Sequence, residues 1–375
     1  MATLRNRSAI VGIGETVYSR DSGRSEAALT LEAIKRALDD CGLAPHDVDG
    51  LLRWSVDATS ELEVAANLGM KELKLYGDVG GGGTAGGALV THAAAAIASG
   101  QAEVVVVYRG VNGRSGRRYG RGEVLGRGGQ GPSQFTEPFG VLVPAHSNAL
   151  KARRRMHETG TTSAHLGGIS VSFRWHANQN PRAIFYDTPL TLEEHQASRY
   201  VVEPLRLFDL CLETDGGGAV VITSAERARS LKQPPAFIRA AAQAGGESGH
   251  LFADTAARSL GPRLFEVAQM TPDDVDVLQV YDAFSSLALF IIEDYGFCGR
   301  GEGGDFVAEG GIRWPNGRLP VNTAGGLLSE AYLQGMNHFI EGVRQLRGTS
   351  TAQVAGAEVS MVDTEYGAVI LTREG

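Results

Sequence analysis

The sequence predicts an α/β protein built from two pseudo-symmetric βαβαβ halves. Two short blocks recur in the same order: residues 45–51, PHDVDGL, resemble residues 272–278, PDDVDVL, and Thr-Ala-Gly-Gly at 84–87 recurs at 323–326. In each half, a turn and a strand precede a glycine-rich bend that opens a helix. Because both blocks recur in register, two copies of one folding unit explain them better than chance similarity of one glycine-rich patch.

Apolar periodicity and glycine place the elements of the first half. Apolar residues recur at helical spacing from Leu31 to Cys41, and Gly42 is a typical helix stop. The valines at 104–107 are typical of a strand covered on both faces, as in parallel sheets. The predicted elements are, in order, strand 8–14, helix 31–41, strand 49–54, strand 73–78, helix 88–99, strand 103–108 and strand 219–223.

The second half repeats this scheme after an excursion at about 110–206 that is predicted to cap the first half. Residues 230–235 are a plausible linker, which gives an N-terminal half at 1–228 and a C-terminal half at 236–375. The predicted elements are helix 255–269, strand 277–281, helix 284–295, a glycine-rich loop at 296–311, helix 327–346, and strands 355–362 and 368–372.

Composition excludes several classes of protein. A net charge of -8 and a pI near 5.7 argue against a nucleic-acid-binding protein. Cys41, Cys211 and Cys298 are widely spaced, so neither a disulfide framework nor a metal site is predicted and a reducing cytoplasm is expected. The sequence shows no secretory signal, and no stretch reaches the ~18 apolar residues of a membrane span.

Three segments of the chain carry a family resemblance. Residues 78–100 contain a glycine-rich elbow and helix, residues 189–223 contain PLRLFDLC and DGGGA, and residues 281–284 read Tyr-Asp-Ala-Phe. Together they resemble the thiolase superfamily, specifically its sterol-carrier, lipid-transfer branch, and the resemblance covers essentially the whole chain. It implies a thiolase-like fold, in which the two halves form a five-layered α-β-α-β-α core.

The catalytic positions of that family are changed here. The family register puts Gly83 at the nucleophilic cysteine and Tyr281 at the asparagine that positions an oxyanion water. Tyr332 falls at the histidine of the family's Gly-His-Pro block, and the last cysteine or histidine falls near Met361. Because glycine cannot form a thioester, acyl transfer through a cysteine is not predicted.

Two of these positions carry tyrosine, which can donate and accept a proton. The pattern resembles the lipid-transfer-like aldolases of bacterial steroid side-chain breakdown. That resemblance implies retro-aldol cleavage of a 17-hydroxy-pregnene-carboxyl-CoA type of thioester to a 17-ketosteroid and propionyl-CoA. Tyr281 and Tyr332 are the predicted acid and base, in either order, with Tyr295 in reserve. No cofactor is expected, since CoA is part of the substrate.

Glycines and arginines complete the predicted site, with Gly83, Gly325 and Gly326 expected to bind the substrate. Gly83 is expected to leave room beside the reacting carbon, and a helix N-terminus near Gly325 and Gly326 is a candidate aid to tyrosine ionisation. The run at 80–87 is either a close-packed elbow or a phosphate cradle. Basic residues that can meet CoA phosphates, or that simply face solvent, are Arg114, Arg117 and Arg118, with a second run at 153–155.

Two other functions stay open at this point. Loss of the nucleophile also permits a non-catalytic acyl-CoA or lipid carrier, and a structural subunit that needs a partner is a further alternative. The resemblance implies a thiolase-type homodimer. For these aldolases it also implies an OB-fold zinc-ribbon partner in an α2β2 assembly.

Overall fold

The computed structural model describes residues 4–116, 118, 134–245 and 254–375. The strands are β1 (Ser8–Glu15), β2 (Gly50–Trp54), β3 (Leu75–Val79), β4 (Val104–Asn112), β5 (Tyr200–Val202), β6 (Leu205–Arg206), β7 (Asp215–Ser224), β8 (Ala236–Gln243), β9 (Val277–Gln279), β10 (Val359–Asp363) and β11 (Gly367–Thr372). The α-helices are α1 (Glu26–Cys41), α2 (Glu61–Leu68), α3 (Gly86–Ala98), α4 (Pro144–Thr159), α5 (Ser163–Ala177), α6 (Leu192–Ala197), α7 (Ala225–Ala228), α8 (Ala257–Ala268), α9 (Ser285–Asp294), α10 (Gly303–Ala308), α11 (Gly326–Ser329) and α12 (Met336–Arg347).

Nine strands form one continuous sheet in the order β3-β2-β4-β7-β1-β8-β11-β10-β9. The first half supplies the strands from β3 to β1, and the second half supplies β8 to β9 in the mirrored order. The halves join where Ala9 pairs with Phe237. In the first half, β3 pairs with the outer edge of β2. At the corresponding edge of β9 in the second half, Val321 forms a single parallel bridge with Leu278. The predicted repeat is therefore confirmed by the strand order.

The valine-rich strand β4 is buried on both faces, as predicted, but its neighbours run in different directions. It is parallel to β2 and antiparallel to β7. The sheet is therefore mixed. Helices cover both of its faces, so continuous burial does not require the parallel arrangement that the valines indicated.

Three hydrophobic clusters fill the interfaces between five layers, and the middle cluster packs against both half-sheets. Leu38 of α1 packs with Val106 on the outer face of the first half-sheet. The central helices α3 and α12 contact strands of both halves, and Leu89 and Phe339 belong to this middle cluster. Helices α8 and α9 cover the outer face of the second half-sheet, with Leu264 in the third cluster. This order is the expected α-β-α-β-α core.

The described helices of the excursion between β4 and β7 pack on the second half, so their predicted placement over the first half was wrong. Helix α5 packs on α9, α10 and α11, and α4 packs on α9. Ile169 and Phe173 of α5 share a hydrophobic cluster with Leu289 and Leu327 of the second half. The apolar face of α5 therefore finds its partner across the halves.

The segment from Leu327 to Leu346 is not the single helix that was predicted. Helix α11 ends at Ser329 and α12 begins at Met336. Between them Gln334 and Gly335 have φ values of 50° and 93°, which a right-handed helix does not contain. Tyr332 therefore lies on a connecting segment. The predicted loop at 296–311 likewise contains the short helix α10.

Candidate functional site

Three residues singled out in the sequence meet between the halves. Tyr281 follows β9, and Tyr332 lies between α11 and α12; their hydroxyl oxygens are 3.5 Å apart. A Cβ built on Gly83 would lie 2.8 Å from the Tyr281 hydroxyl oxygen. The fold therefore brings the glycine at the thiolase nucleophile position against two phenols.

The space beside Gly83 is filled by Gln334. The same Cβ would lie 2.7 Å from both Cδ and Nε2 of Gln334. The prediction that Gly83 leaves open room was therefore wrong, because the carboxamide and the Tyr281 hydroxyl occupy that room. Gln334 Nε2 also donates a hydrogen bond to Tyr332 Oη at 3.2 Å, so one amide lies between Gly83 and the second phenol.

Gln334 is a site residue that sequence analysis missed. It is only 2% exposed, and within the described residues its Oε1 has no hydrogen-bond partner. Buried amide oxygens in folded proteins are usually paired. No family motif assigns a role to Gln334. Its position two residues after Tyr332 was the only indication in the sequence that it lies near the site.

Burial raises the pKa of both phenols above the usual value of about 10. For Tyr281, the neighbouring Tyr332 raises the pKa further. For Tyr332, Cys211 adds to the effect of burial, whereas hydrogen bonds with Tyr281 and Gln334 and the Arg109 guanidinium lower the pKa. Negative charge is therefore less unfavourable on Tyr332 than on Tyr281.

The glycine-rich run is a close-packed elbow. Trp54 Nε1 donates to the Gly83 carbonyl oxygen at 3.4 Å, and Gly87 N donates to Thr364 Oγ1 at 2.7 Å. A Cβ on Gly87 would lie 2.3 Å from the carbonyl group of Gly367. Because the start of α3 is engaged by the strand β11 and its loop, the structure favours an elbow over a phosphate cradle.

Gly325 and Gly326 allow the Asp282 carboxylate to approach the start of α11. The Asp282 carboxylate accepts hydrogen bonds from Leu327 N at 2.8 Å and Leu328 N at 3.1 Å. A Cβ on Gly326 would lie 2.3 Å from Asp282 Oδ2, so glycine permits this approach. The predicted help of this helix N-terminus to a phenolate was wrong, because its N–H groups are already bound to the carboxylate.

Tyr295, the reserve candidate, is engaged elsewhere. Its hydroxyl donates to Asp363 Oδ2 at 2.7 Å, and both groups are buried. Its ring packs edge-on against Phe265, with 6.4 Å between ring centroids. Burial raises the pKa of Asp363 to about 6, and the hydrogen bond from Tyr295 opposes that rise. These contacts favour the packing interpretation of Tyr295.

Of the arginines proposed for CoA, Arg118 binds a protein group through its side chain, and Arg114 does so through its backbone. Arg114 donates its backbone N–H to Asp215 Oδ1 at 3.0 Å, and Arg118 Nε donates to Glu213 Oε2 at 2.6 Å. Arg117 lies outside the described residues. Contact of these arginines with CoA stays a prediction.

The second basic run, residues 153–155, has one arginine in the interior and one on the surface. Arg155 is fully buried and pairs with Glu293 at 2.9 Å and Asp294 at 2.7 Å. Arg153 is exposed and pairs with Glu203 at 2.7 Å. Removing one partner of a buried ion pair is strongly destabilising, so Arg155 is a structural residue and not a CoA ligand.

A partly buried carboxyl group that interacts with Tyr281 also escaped sequence analysis. Glu365 lies between β10 and β11 with a φ of 71°, and its charge raises the pKa of Tyr281. Burial raises the pKa of Glu365 itself, while Lys151, 3.8 Å away, lowers it. Met361, at the family's last catalytic position, is buried within β10 and supplies no base.

Cysteine offers no alternative nucleophile. Cys41, Cys211 and Cys298 are free thiols, and burial raises the pKa of each, to about 11 for Cys41 and about 12 for Cys298. A thiol with a raised pKa is a poor nucleophile at neutral pH. In the described ranges no three His, Cys, Asp or Glu side chains are grouped to hold a metal ion, and no helix there has the length and apolarity to cross a membrane.

Comparison with known proteins gives a consistent set of similarities. A family model described as thiolase C-terminal domain-like matches residues 241–372. The chain is 46% identical to the 17-hydroxy-3-oxo-4-pregnene-20-carboxyl-CoA lyase of Mycobacterium tuberculosis, over 97% of each protein. It is also 46% identical to the steroid side-chain-cleaving aldolase of Thermomonospora curvata, over 94% of this chain and 93% of that protein.

Solved structures show the same similarity at the level of the fold. A structure named Ltp2-ChsH2(DUF35) aldolase matches with a TM-score of 0.92 and 43% identity, over 99% of both chains. A monomeric SCP2-thiolase-like protein of Mycobacterium smegmatis matches with a TM-score of 0.75 and 21% identity, over 99% of this chain and 78% of that one. The latter similarity concerns the fold alone.

Proposed function

Because the chain belongs to the thiolase superfamily, in its sterol-carrier-protein-2-like branch, we propose that it is a carbon–carbon lyase acting by a retro-aldol reaction. The substrate is a 17-hydroxy-pregnene-carboxyl-CoA type of thioester, and the products are a 17-ketosteroid and propionyl-CoA. One observation carries the proposal: the hydroxyl oxygens of the buried Tyr281 and the partly buried Tyr332 lie 3.5 Å apart beside a glycine at the nucleophile position. The two relatives at 46% identity supply the substrate class.

The reaction balances without a cofactor. The 17-hydroxyl gives up its proton, a ketone forms at C17, and the electron pair of the bond to the thioester α-carbon moves into an enolate. A proton then returns to that carbon and yields propionyl-CoA. The steps need a base, a stabiliser of the enolate and an acid, but no covalent nucleophile. The lost cysteine is therefore no obstacle.

Proton relay between the phenols avoids a free phenolate. At pH 7 a phenol with a pKa of about 10 is ionised about one part in a thousand, a cost of about 4 kcal/mol, and burial adds to it. In a relay, Tyr332 accepts the hydroxyl proton as its own proton passes to Tyr281, which protonates the carbon. Tyr332 is the base in this proposal, because Gln334 and Arg109 favour negative charge there.

The proposed assembly follows the relatives. The solved aldolase with a TM-score of 0.92 carries two protein names, which supports a complex with a partner protein, and we propose an OB-fold zinc-ribbon protein as that partner. We propose that a thiolase-type homodimer and this partner form an α2β2 enzyme in the cytoplasm, with Arg114, Arg117 and Arg118 facing CoA. The three free thiols, of which Cys41 is buried, are compatible with a reducing compartment.

The test is a product assay. The chain, alone and with the partner, is incubated with a 17-hydroxy steroid CoA thioester, and the products are measured by chromatography. We expect propionyl-CoA and 17-ketosteroid to form in equal amounts. Tight binding of the thioester without either product, with the partner present, would show a carrier and overturn the lyase.

A further inference from the structure

We propose that Gln334 is a third catalytic group, whose side-chain amide donates a hydrogen bond to the thioester oxygen as the enolate forms. This inference rests on the proposed retro-aldol function. As the carbon–carbon bond breaks, negative charge develops on that oxygen, and both phenols are occupied with proton transfer. Preorganised amide donors are effective stabilisers of such an oxyanion.

The location of the amide is the first support. A Cβ on Gly83 would lie 2.7 Å from Gln334 Nε2, and the Tyr281 hydroxyl lies 2.8 Å from the same point. On the other side, Nε2 is 3.2 Å from Tyr332 Oη. The amide nitrogen therefore stands among the groups that handle the protons, next to the backbone of the elbow.

The unused hydrogen-bonding capacity of Gln334 is the second support. An amide nitrogen carries two hydrogens, and the described residues provide Nε2 with one acceptor, Tyr332 Oη. The oxygen Oε1 has no partner among those residues although the side chain is 2% exposed. A purely structural buried amide would normally be paired at both ends. The second N–H of Nε2 can therefore bind an acceptor such as the thioester oxygen, whereas Oε1 can bind only a donor.

The backbone of Gln334 is the third support. Its φ of 50° is in the left-handed region. Glycine adopts this conformation readily and asparagine does so occasionally, but it is unfavourable for other residues such as glutamine. Such conformations persist where the surrounding structure enforces them, and they are concentrated at functional sites. Here the conformation accompanies an amide directed into the space beside Gly83.

Two substitutions separate catalysis from folding. Gln334→Gly removes the amide, and Gln334→Asn keeps an amide that is one methylene shorter; both residues tolerate the left-handed conformation. With the 17-hydroxy thioester, Gln334→Gly is expected to lower kcat by about a hundredfold with KM nearly unchanged, as for loss of one oxyanion donor. Gln334→Asn is expected to fall between that variant and the wild type.

A second readout isolates the enolate. Wild-type protein is expected to exchange the α-protons of propionyl-CoA with deuterium from the solvent, and Gln334→Gly should slow this exchange by a similar factor. Thermal unfolding of both variants is the check that they are folded. Gln179→Leu, which alters an amide outside the site that bonds to the Trp175 carbonyl oxygen, is the matched control and should retain wild-type rates.

The outcomes are distinct. Full cleavage by Gln334→Gly overturns the role of Gln334 and leaves the proposed function intact. Slow cleavage with undiminished deuterium exchange, or no exchange in the wild type, also overturns it, because the amide would then not act on the enolate. Failure of the wild-type complex to cleave the thioester at all overturns the proposed function itself.

Discussion

The hydroxyl oxygens of Tyr281 and Tyr332 lie 3.5 Å apart, although 51 residues separate them in the chain. The first copy of the repeat gives this pair its setting. Trp54 corresponds to Tyr281 in the first half, and its indole N–H bonds to the Gly83 carbonyl oxygen. Equivalent aromatic residues of the two halves therefore converge on Gly83, and only the second-half residue is a proton donor and acceptor.

Substitution of either phenol tests the proton relay. Tyr281→Phe and Tyr332→Phe should each lower turnover by at least about a hundredfold, the lower range for general acid–base groups. Each variant keeps the aromatic ring and its packing, so the unfolding temperature should change little. Steady-state rates with the 17-hydroxy thioester give the comparison, and Tyr186→Phe, at a residue that is 40% exposed, is the control. Near-normal turnover in either site variant would contradict its assignment.

Gly83 should be intolerant of even one methyl group. Gly83→Ala places a Cβ 2.7 Å from the Gln334 amide and 2.8 Å from the Tyr281 hydroxyl, so the polar groups must separate. We expect turnover to fall by at least about tenfold, since small displacements of catalytic groups are costly. Gly80→Ala is the matched control in the same run, because a Cβ there meets nothing within 4 Å. Equal activity in the two variants would show that the Gly83 contact has no role.

The repeat made the scaffold predictable. Strands 8–14 and 49–54 and the helix stop at Gly42 follow from patterns that are local in sequence, and the structure has them within one or two residues. The family register also singled out Gly83, Tyr281 and Tyr332 from short motifs, and the structure brings these three residues together, while their catalytic role stays a prediction. Local patterns and motifs therefore carried both the fold and the centre of the site.

What was missed depends on contacts that no local pattern encodes. Gln334 belongs to the site because left-handed residues interrupt the expected helix before α12. The helix end at Gly326 is unavailable to the phenols because Asp282, 44 residues earlier, binds its N–H groups. The excursion was placed on the wrong half because an apolar helix face does not specify its partner.

Glu330 should make the stability of the protein dependent on pH. It begins the segment that carries Tyr332, and it accepts hydrogen bonds from Asn180 at 2.9 Å and Asn337 at 3.0 Å. Burial, followed by the charge of Glu15, raises its pKa from 4.5 to about 8. The folded state therefore retains a proton that the unfolded chain has released, so this contribution to stability is complete below about pH 4.5 and is lost as the pH rises to about 8.

Glu330→Gln removes that dependence. Between about pH 4.5 and 8, the free energy of unfolding of the wild type should fall relative to that of the variant, with a slope of up to about 1.4 kcal/mol per pH unit. Urea unfolding at three pH values across this window measures the difference. Glu309→Gln, at an exposed position, should follow the wild type. Parallel curves for wild type and Glu330→Gln would show that Glu330 is ionised throughout.

Tyr295→Phe separates a structural phenol from the two that are proposed to transfer protons. The ring and its edge-on contact with Phe265 are kept, but the hydrogen bond to Asp363, 2.7 Å in the wild type, is lost. We expect the free energy of unfolding to fall by about 1–2 kcal/mol, the usual cost of a buried acceptor losing its donor, with turnover within about threefold of wild type.

The pKa of Asp363, about 6 in the intact protein, is held down by the hydrogen bond from Tyr295. The loss of stability should therefore be larger above about pH 6, where the carboxylate is charged, than below it. A hundredfold loss of turnover, comparable to that of Tyr281→Phe, would instead place Tyr295 in the proton relay.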